Sequence, residues 1–256
     1  MIRKEREIKV IYVLVLAIFA VFLAVPNVRL LMESFIGEAG AGIENYVNVL
    51  TGKGFMKALG NSVTVSVSSA LISTLLAFFM TYSIQYTNLN KKFKTVIQTL
   101  AVLPMLLPTI TYGFAIIYSF GKQGLLTKLF GTQLFEIYGF NGLMFGYVIY
   151  TPPISFMLIL NTMGFIDKKF MVVSRVMGDS PVQTFWQTII RPLLGTLAAS
   201  FVQCFFLCFI DYGIPASVGG EYDVVATVLY NEMLGSIPNF NRGAVVAMMM
   251  LIPSVI

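Results

Sequence analysis

The sequence predicts an all-α integral membrane protein of six spans, the last of them cut short, and three observations predict it. Composition is the first: 57% of the 256 residues are hydrophobic and only 11% are charged, less than half the charged share of an ordinary soluble domain. The second is a set of charge-free windows at 10–28, 58–90, 95–121, 137–166, 192–210 and 243–256. Five of these reach about the 20 residues a helix needs to cross roughly 30 Å of hydrocarbon. The sixth holds 14 residues and stops at Ile256, which reads either as a fragment of a longer chain or as a last helix missing its cytoplasmic end. The third observation is an uneven spread of cations, which orients the spans.

Arg3, Lys4, Arg6 and Lys9 precede the first apolar run, so that end is expected to stay cytoplasmic. A secretory signal peptide is the competing reading; the apolar core is longer than a usual signal core and no small-x-small cleavage site follows it. Residues 26–61, with Arg29, Glu33, Glu38 and Glu44 and a glycine-rich turn at 37–42, are expected to form an external loop carrying a short helix. Span two, about 62–85, is rich in Ser, Thr and Val, and the short basic loop after it, Lys91, Lys92 and Lys94, belongs inside. Span three, about 95–120, contains Pro104, Pro108 and Gly113, so it is expected to kink, either to line a pathway or merely to fit the bundle.

Residues 122–142 read as a second external loop. Span four, about 143–164, holds Thr151, Pro152 and Pro153 near its middle and Asn161 near its inner end. The polar segment 167–192 is then internal. Span five, about 193–214, ends at Asp211 and Tyr212, and 217–242 reads as a further external loop. With this topology eleven cations lie inside and six outside, the bias expected when the N-terminus is cytoplasmic. There is no internal repeat and no heptad array.

Several chemistries are excluded or weakened. There is no histidine, which removes most general-base chemistry and most transition-metal sites. Cys204 and Cys208 lie inside one span and read as small apolar residues packing in a helix, not as a metal pair or a disulfide. The only Gly-Lys dipeptides, at Gly52 and Gly121, lack the G-x-x-x-x-G-K-[ST] frame that cradles phosphates. No catalytic residue, metal site or cofactor is expected. The net charge of +5 is an orientation signal and implies no nucleic acid.

The internal segment 167–192 has the most local order. Val182, Phe185, Trp186, Ile189 and Ile190 recur at helical spacing, with Gln183, Thr184, Gln187 and Thr188 on the other side. Ser180 is placed to cap that helix, Pro181 suits its first position, and Pro192 is expected to end it. Upstream, 168–177 is a second short helix, and Gly178 stands where its end needs a residue tolerant of positive φ. The expectation is two short helices hinged at Gly178. By periodicity alone such a pair also fits simply lying in the lipid headgroup layer.

The stretch FMVVSRVMGDSPVQTFWQTIIRPLL resembles the cytoplasmic loop of permease subunits of ATP-binding-cassette importers of type I. The family pattern is Glu-Ala-Ala, three residues, Gly, and a later Ile-x-Leu-Pro. Gly178 matches the family glycine, Ser180, Pro181 and Phe185 match positions common in it, and Pro192 matches the closing proline one residue late. Val172 and Val173 stand where the pattern has Glu and Ala, and Ser174 stands for the second Ala, a departure that bears on one polar contact of the family loop and leaves its hinge and docking helix in place. The resemblance covers about 61–256, with the Asn- and Ser-rich start of span two also similar, and leaves 1–60 as an N-terminal tail, first span and external loop.

The resemblance implies a six-span importer permease fold in a bacterial plasma membrane. It implies that Ser174, Gly178, Asp179, Ser180, Pro181, Phe185, Trp186 and Pro192 form a coupling loop seated on a cytoplasmic ATPase, with an extracytoplasmic solute-binding protein and a second permease subunit as further partners. Asp211 is the only acid close to a span interior and either lines a pathway or gate, with Tyr212, Asn161 and Thr151, or is merely solvated at the outer interface. The stretch from Phe209 to Ala244 resembles permeases for iron(III), polyamines, thiamine and, most closely, 2-aminoethylphosphonate. An ATP-independent secondary transporter or channel, and a membrane anchor or assembly factor, stay open as other classes.

Overall fold

In the computed structural model residues 2–37 and 40–255 are described; Glu38, expected in the first external loop, lies outside them. Helix α1 (2–34) carries a π-helical turn at Ala20–Ala24. Every side chain from Ile8 to Arg29 is exposed, the state of a helix that meets lipid all round. A two-stranded pair, β1 (Ile36–Gly37) and β2 (Gly40–Ala41), and helix α2 (Glu44–Thr51) follow. The short helix expected between the first two spans is therefore present, with a hairpin before it.

The chain divides into two units, 1–56 with 228–256, and 57–227. In the first, the last helix, Phe240–Val255, packs against the 25–34 end of α1 and against α2. The Asn45 amide donates to the Ile36 carbonyl at 2.8 Å, and Arg242 pairs with Glu232 at 3.1 Å.

Helix α3 (Lys53–Tyr86) leads into the second unit and starts well before the expected 62. Its buried face is small and hydroxylated: Ser62, Ser66, Ser69, Ala70, Ser73, Ala77 and Thr81 recur three or four apart. Side chains of this size let neighbouring backbones approach closely where lipid offers no hydrophobic drive. Span three differs from expectation. It is α4 (Lys91–Val102), a 3-10 turn (Leu103–Leu106) and α5 (Thr109–Phe120), and the two arms meet at 104°. Pro104 and Pro108 together remove two ladder donors within five residues, which breaks the helix outright where one proline would kink it.

A short helix α6 (Leu125–Phe130) precedes α7 (Phe140–Tyr150) and α8 (Pro152–Gly164), which together form a 25-residue apolar run. Helix α9 (Lys169–Val176) leads into α10 (Pro181–Ile210), a 30-residue helix with a π turn at Trp186–Ile190. Pro192 does not stop it. The π turn already breaks the ordinary ladder there, as the Arg191 N–H bonds back to the Trp186 carbonyl, so the proline removes a donor the helix had no regular use for. The second elbow helix and span five are thus one element, and that element ends at Ile210 instead of 214.

Helix α11 (Gly213–Val218) turns back into the unit, and α12 (Val225–Leu234) occupies what reads as an external loop. Helix α13 (Phe240–Val255) is the last. Among the described residues four helices are long and apolar enough to cross a membrane, five if the broken pair is counted as one span, and α13 is a shorter apolar helix.

Close approaches lock α11 in place. A Cβ on Gly113 of α5 would lie 1.6 Å from Ser217 Oγ, and one on Gly146 of α7 would lie 2.8 Å from Ile214 Cγ2. The inner face of α10 lies on α8, where the Ser155 hydroxyl is 3.0 Å from Cys204 Sγ and Thr196 is 3.1 Å from Thr162. Cys204 and Cys208 are both buried there.

Candidate functional site

The elbow begins where α8 ends. Asp167 Oδ1 accepts from the Lys169 N–H at 2.9 Å and starts α9. Lys168 reaches back to α3: its Nζ donates to the Gln85 carbonyl and lies 5.3 Å from the centre of the Tyr86 ring. A cation there satisfies and neutralises the last carbonyls of α3. After Val176 the chain turns at Gly178, whose φ is +89° with nothing within 4 Å of a built Cβ. The glycine is required for its backbone conformation, not for space.

Ser180 then caps α10 as expected, and reciprocally. Ser180 Oγ accepts from the Gln183 N–H at 3.3 Å, while Gln183 Oε1 accepts from the Ser180 N–H at 2.9 Å. The S-x-x-Q spacing was the signal that marks Gln183. Pro181 occupies the first helical position.

The faces of this helix are not those its periodicity predicts. Thr184, Thr188 and Ile189 are buried, and Phe185 is half-buried with its ring edge-on to Phe78 at 6.2 Å and Tyr82 at 5.6 Å. Val182 is 77% exposed and Trp186 55% exposed. Two causes account for this. Ser174 of α9 pairs with Thr184, which pulls the hydroxyl face inward, and the π turn adds a residue to the next turn and rotates everything after Phe185. Ile189 and Leu193 complete a core with Ala77, Phe78, Ile84, Phe156, Ile159 and Met163, so the elbow sits directly on α3 and α8.

The outer surface of the elbow is apolar. Val176 is 83% and Met177 79% exposed, and Phe165, Phe170, Val172 and Val173 are exposed as well. Exposed apolar patches of this extent mark a surface that meets another protein or lipid. Beside it runs a groove of about 600 Å³ whose lining includes Phe170, Val173 and Met177 together with Ser174, Asp179 and Gln187.

Of the candidate pathway residues, Thr151 and Asp211 both lie close to Cys208 of α10, and Asn161 stands ten residues further along α8 than Thr151. Thr151 is buried at the α7–α8 junction, its hydroxyl 2.8 Å from Ser73 Oγ and 2.9 Å from the Tyr147 carbonyl. Asn161 is exposed on α8. Asp211 is half-buried; Oδ2 accepts from the Ile214 N–H at 2.9 Å, and the Thr109 hydroxyl and the Gly213 N–H also hydrogen-bond to it. Tyr212 beside it is exposed. Asp211 therefore anchors the start of α11 to α5, a contact that sequence reasoning missed because Thr109 is a hundred residues away in the chain.

Residues 73–256 match the family of binding-protein-dependent transport system inner membrane components, and the chain belongs to that family. Among curated relatives, a putative ferric transport system permease protein of Haemophilus influenzae is 24% identical over 236 residues, covering 90% of this chain and 37% of that protein. A putative 2-aminoethylphosphonate transport system permease protein of Salmonella typhi is 25% identical over 189 residues, covering 70% of this chain and 64% of the other. The chain thus spans little more than a third of the ferric relative. The fold is similar to a bacterial ABC transporter involved in the import of the acidic polysaccharide alginate, with a TM-score of 0.77 at 15% identity over 100% of this chain and 93% of that one.

Proposed function

We propose that the chain is the membrane-spanning permease subunit of an ATP-driven importer, forming part of a solute pathway and receiving work from a separate cytoplasmic ATPase through the elbow. One observation carries the reading: the exposed apolar elbow includes Val182 and Trp186, which stand on the same helix that continues to Ile210, with Val176 and Met177 exposed just before the Gly178 turn that leads into it. Packed helices move as units, so a partner that displaces Trp186 displaces the span. The first arm is tied through Lys168 to the end of α3, so two membrane helices answer to one surface.

In this reading residues 61–256 are the transporter's membrane domain with its coupling loop at 167–192, and 1–60 are an N-terminal arm. The chain lies in a bacterial plasma membrane with the N-terminus and elbow in the cytoplasm, as the cation bias favours. An extracytoplasmic solute-binding protein delivers the solute, and a second permease subunit, as a second copy, a paralogue or a fused half, completes the pathway. ATP hydrolysis is assigned to the partner. The solute is a small polar molecule, and 2-aminoethylphosphonate is favoured by the resemblance of the Phe209–Ala244 stretch, with ferric iron, named by another relative, next in line.

The test is uptake of a labelled panel, 2-aminoethylphosphonate, ferric iron, spermidine and sulfate, by cells expressing the transporter. Trp186→Asp and Gly178→Pro are expected to abolish ATP-driven uptake while the chain still inserts. Uptake that survives both removes the elbow from the mechanism. A cysteine placed at Val176 is expected to react with an impermeant maleimide only after the cells are permeabilised, and labelling in intact cells would reverse the orientation.

A further inference from the structure

Three segments of the elbow meet at one buried hydroxyl. Ser174, near the end of α9, is 7% exposed, and its Oγ lies 2.6 Å from Asp179 Oδ2 in the turn and 3.0 Å from Thr184 Oγ1 in the first turns of α10. A carboxylate only accepts and a serine carries one proton, so Ser174 donates to Asp179 and accepts from Thr184. The charge on Asp179 thereby sets the direction of the whole relay. Around it the Asp179 N–H bonds the Ser174 carbonyl at 3.2 Å, and the Thr188 hydroxyl bonds the Thr184 carbonyl at 2.6 Å. The family pattern has alanine at the position of Ser174, which offers no such hydroxyl. It has glutamate at the position of Val172, which here is 62% exposed and apolar. This chain carries its elbow carboxylate inward, at Asp179.

We propose that Asp179, acting through Ser174 and Thr184, is a positioning latch that fixes the angle between α9 and α10, so that displacement of one arm is delivered to the other. The proposal rests on the coupling reading above. A hinge at a left-handed glycine is free to open unless something spans it, and Gly178 lies between Ser174 and Asp179. The latch spans it with a charge-assisted hydrogen bond, the stronger kind. Its Ser174 and Asp179 also line the groove beside the elbow, where a seated partner would shield them from water and strengthen the bond further.

The experiment uses the full chain and its Ser174→Ala, Asp179→Ala and Ser174→Thr variants. In nanodiscs, amide exchange over 174–184 is expected to quicken about tenfold or more in the first two, the loss of a hydrogen bond to a charged group, with 193–210 unchanged. In the assembled transporter, solute moved per ATP hydrolysed is expected to fall by a similar factor. Ser174→Thr, which keeps the hydroxyl, is expected to restore both. Unchanged exchange in Ser174→Ala overturns the latch, and so does faster exchange with transport per ATP untouched, or a threonine that restores neither. Ser174→Ala deletes a single oxygen, so the test stands even where Asp179→Ala fails to insert. Trp186→Asp is the control that separates the two claims. If it leaves uptake intact, the coupling reading fails whatever the latch does; if it abolishes uptake while the Ser174 and Asp179 variants change nothing, only the latch fails.

Discussion

The Tyr112 hydroxyl donates to the carbonyl oxygen of Pro104 across the break between α4 and α5. Pro108 has no N–H to offer that carbonyl, which otherwise keeps only a short-range bond from the Leu107 N–H at 3.2 Å. Tyr112→Phe is expected to leave it under-satisfied in apolar surroundings and to cost about 1 kcal/mol. Thermal unfolding in detergent checks this, and an unchanged midpoint would mean that the bend holds itself.

Gly113 and Ser217 approach so closely that even a methyl group collides: a Cβ would lie 2.5 Å from Ser217 Cβ, which no rotamer change relieves. Gly113→Ala is expected to destabilise by about 1–3 kcal/mol through overpacking. The double variant Gly113→Ala with Ser217→Gly is expected to recover most of that loss, a coupling between contacting sites that a thermodynamic cycle measures.

At Gly178 the backbone, not the space, forbids a side chain. Gly178→Ala is expected to cost roughly 1–2 kcal/mol, and Gly178→Asn less, because asparagine tolerates the left-handed region. Limited proteolysis at the elbow in a lipid bilayer distinguishes them, with the alanine variant cleaved faster.

Phe185 joins the elbow to α3 through the rings of Phe78 and Tyr82. Phe185→Ala is expected to remove roughly 2 kcal/mol of half-buried aromatic packing. Trp186 is the chain's one tryptophan, so its fluorescence reports the adjacent change directly. A spectrum identical to the parent's would show that the ring does not fix the helix.

Asp211 is held by Thr109 and by the amides of Gly213 and Ile214. Asp211→Ala and Thr109→Val are each expected to loosen α11, at about 1–3 kcal/mol for the first, which leaves buried donors unpaired. If Asp211→Ala instead leaves stability intact and alters only which solute is carried, the carboxylate belongs to the pathway and not to the fold.

What the sequence revealed and what it hid divide along the range of the contacts. Charge-free windows mark the long apolar helices because the hydrocarbon constraint is a property of consecutive residues, and Ser180, Pro181 and Gly178 mark the elbow because capping and positive φ are decided within a few residues. Pro192 misled because its effect depends on the π turn before it, a register shift with no composition of its own. The faces of α10 misled for a related reason: Thr184 is drawn inward by Ser174, ten residues away across a turn. The break in span three was half visible in Pro104 and Pro108, but its depth was not. Helix α12 was hidden among polar and glycine residues. The wedging of α11 by Gly113 and Gly146, and the anchoring of Asp211 by Thr109, join residues whose partners no local pattern announces.

Because α10 runs unbroken for 30 residues, it is about 45 Å long at 1.5 Å per residue. Tilting such a rod by about 5° about one end would carry the other through roughly 4 Å, more than the width of a water molecule, so a small change of angle near Pro181 would be magnified by length alone at Ile210.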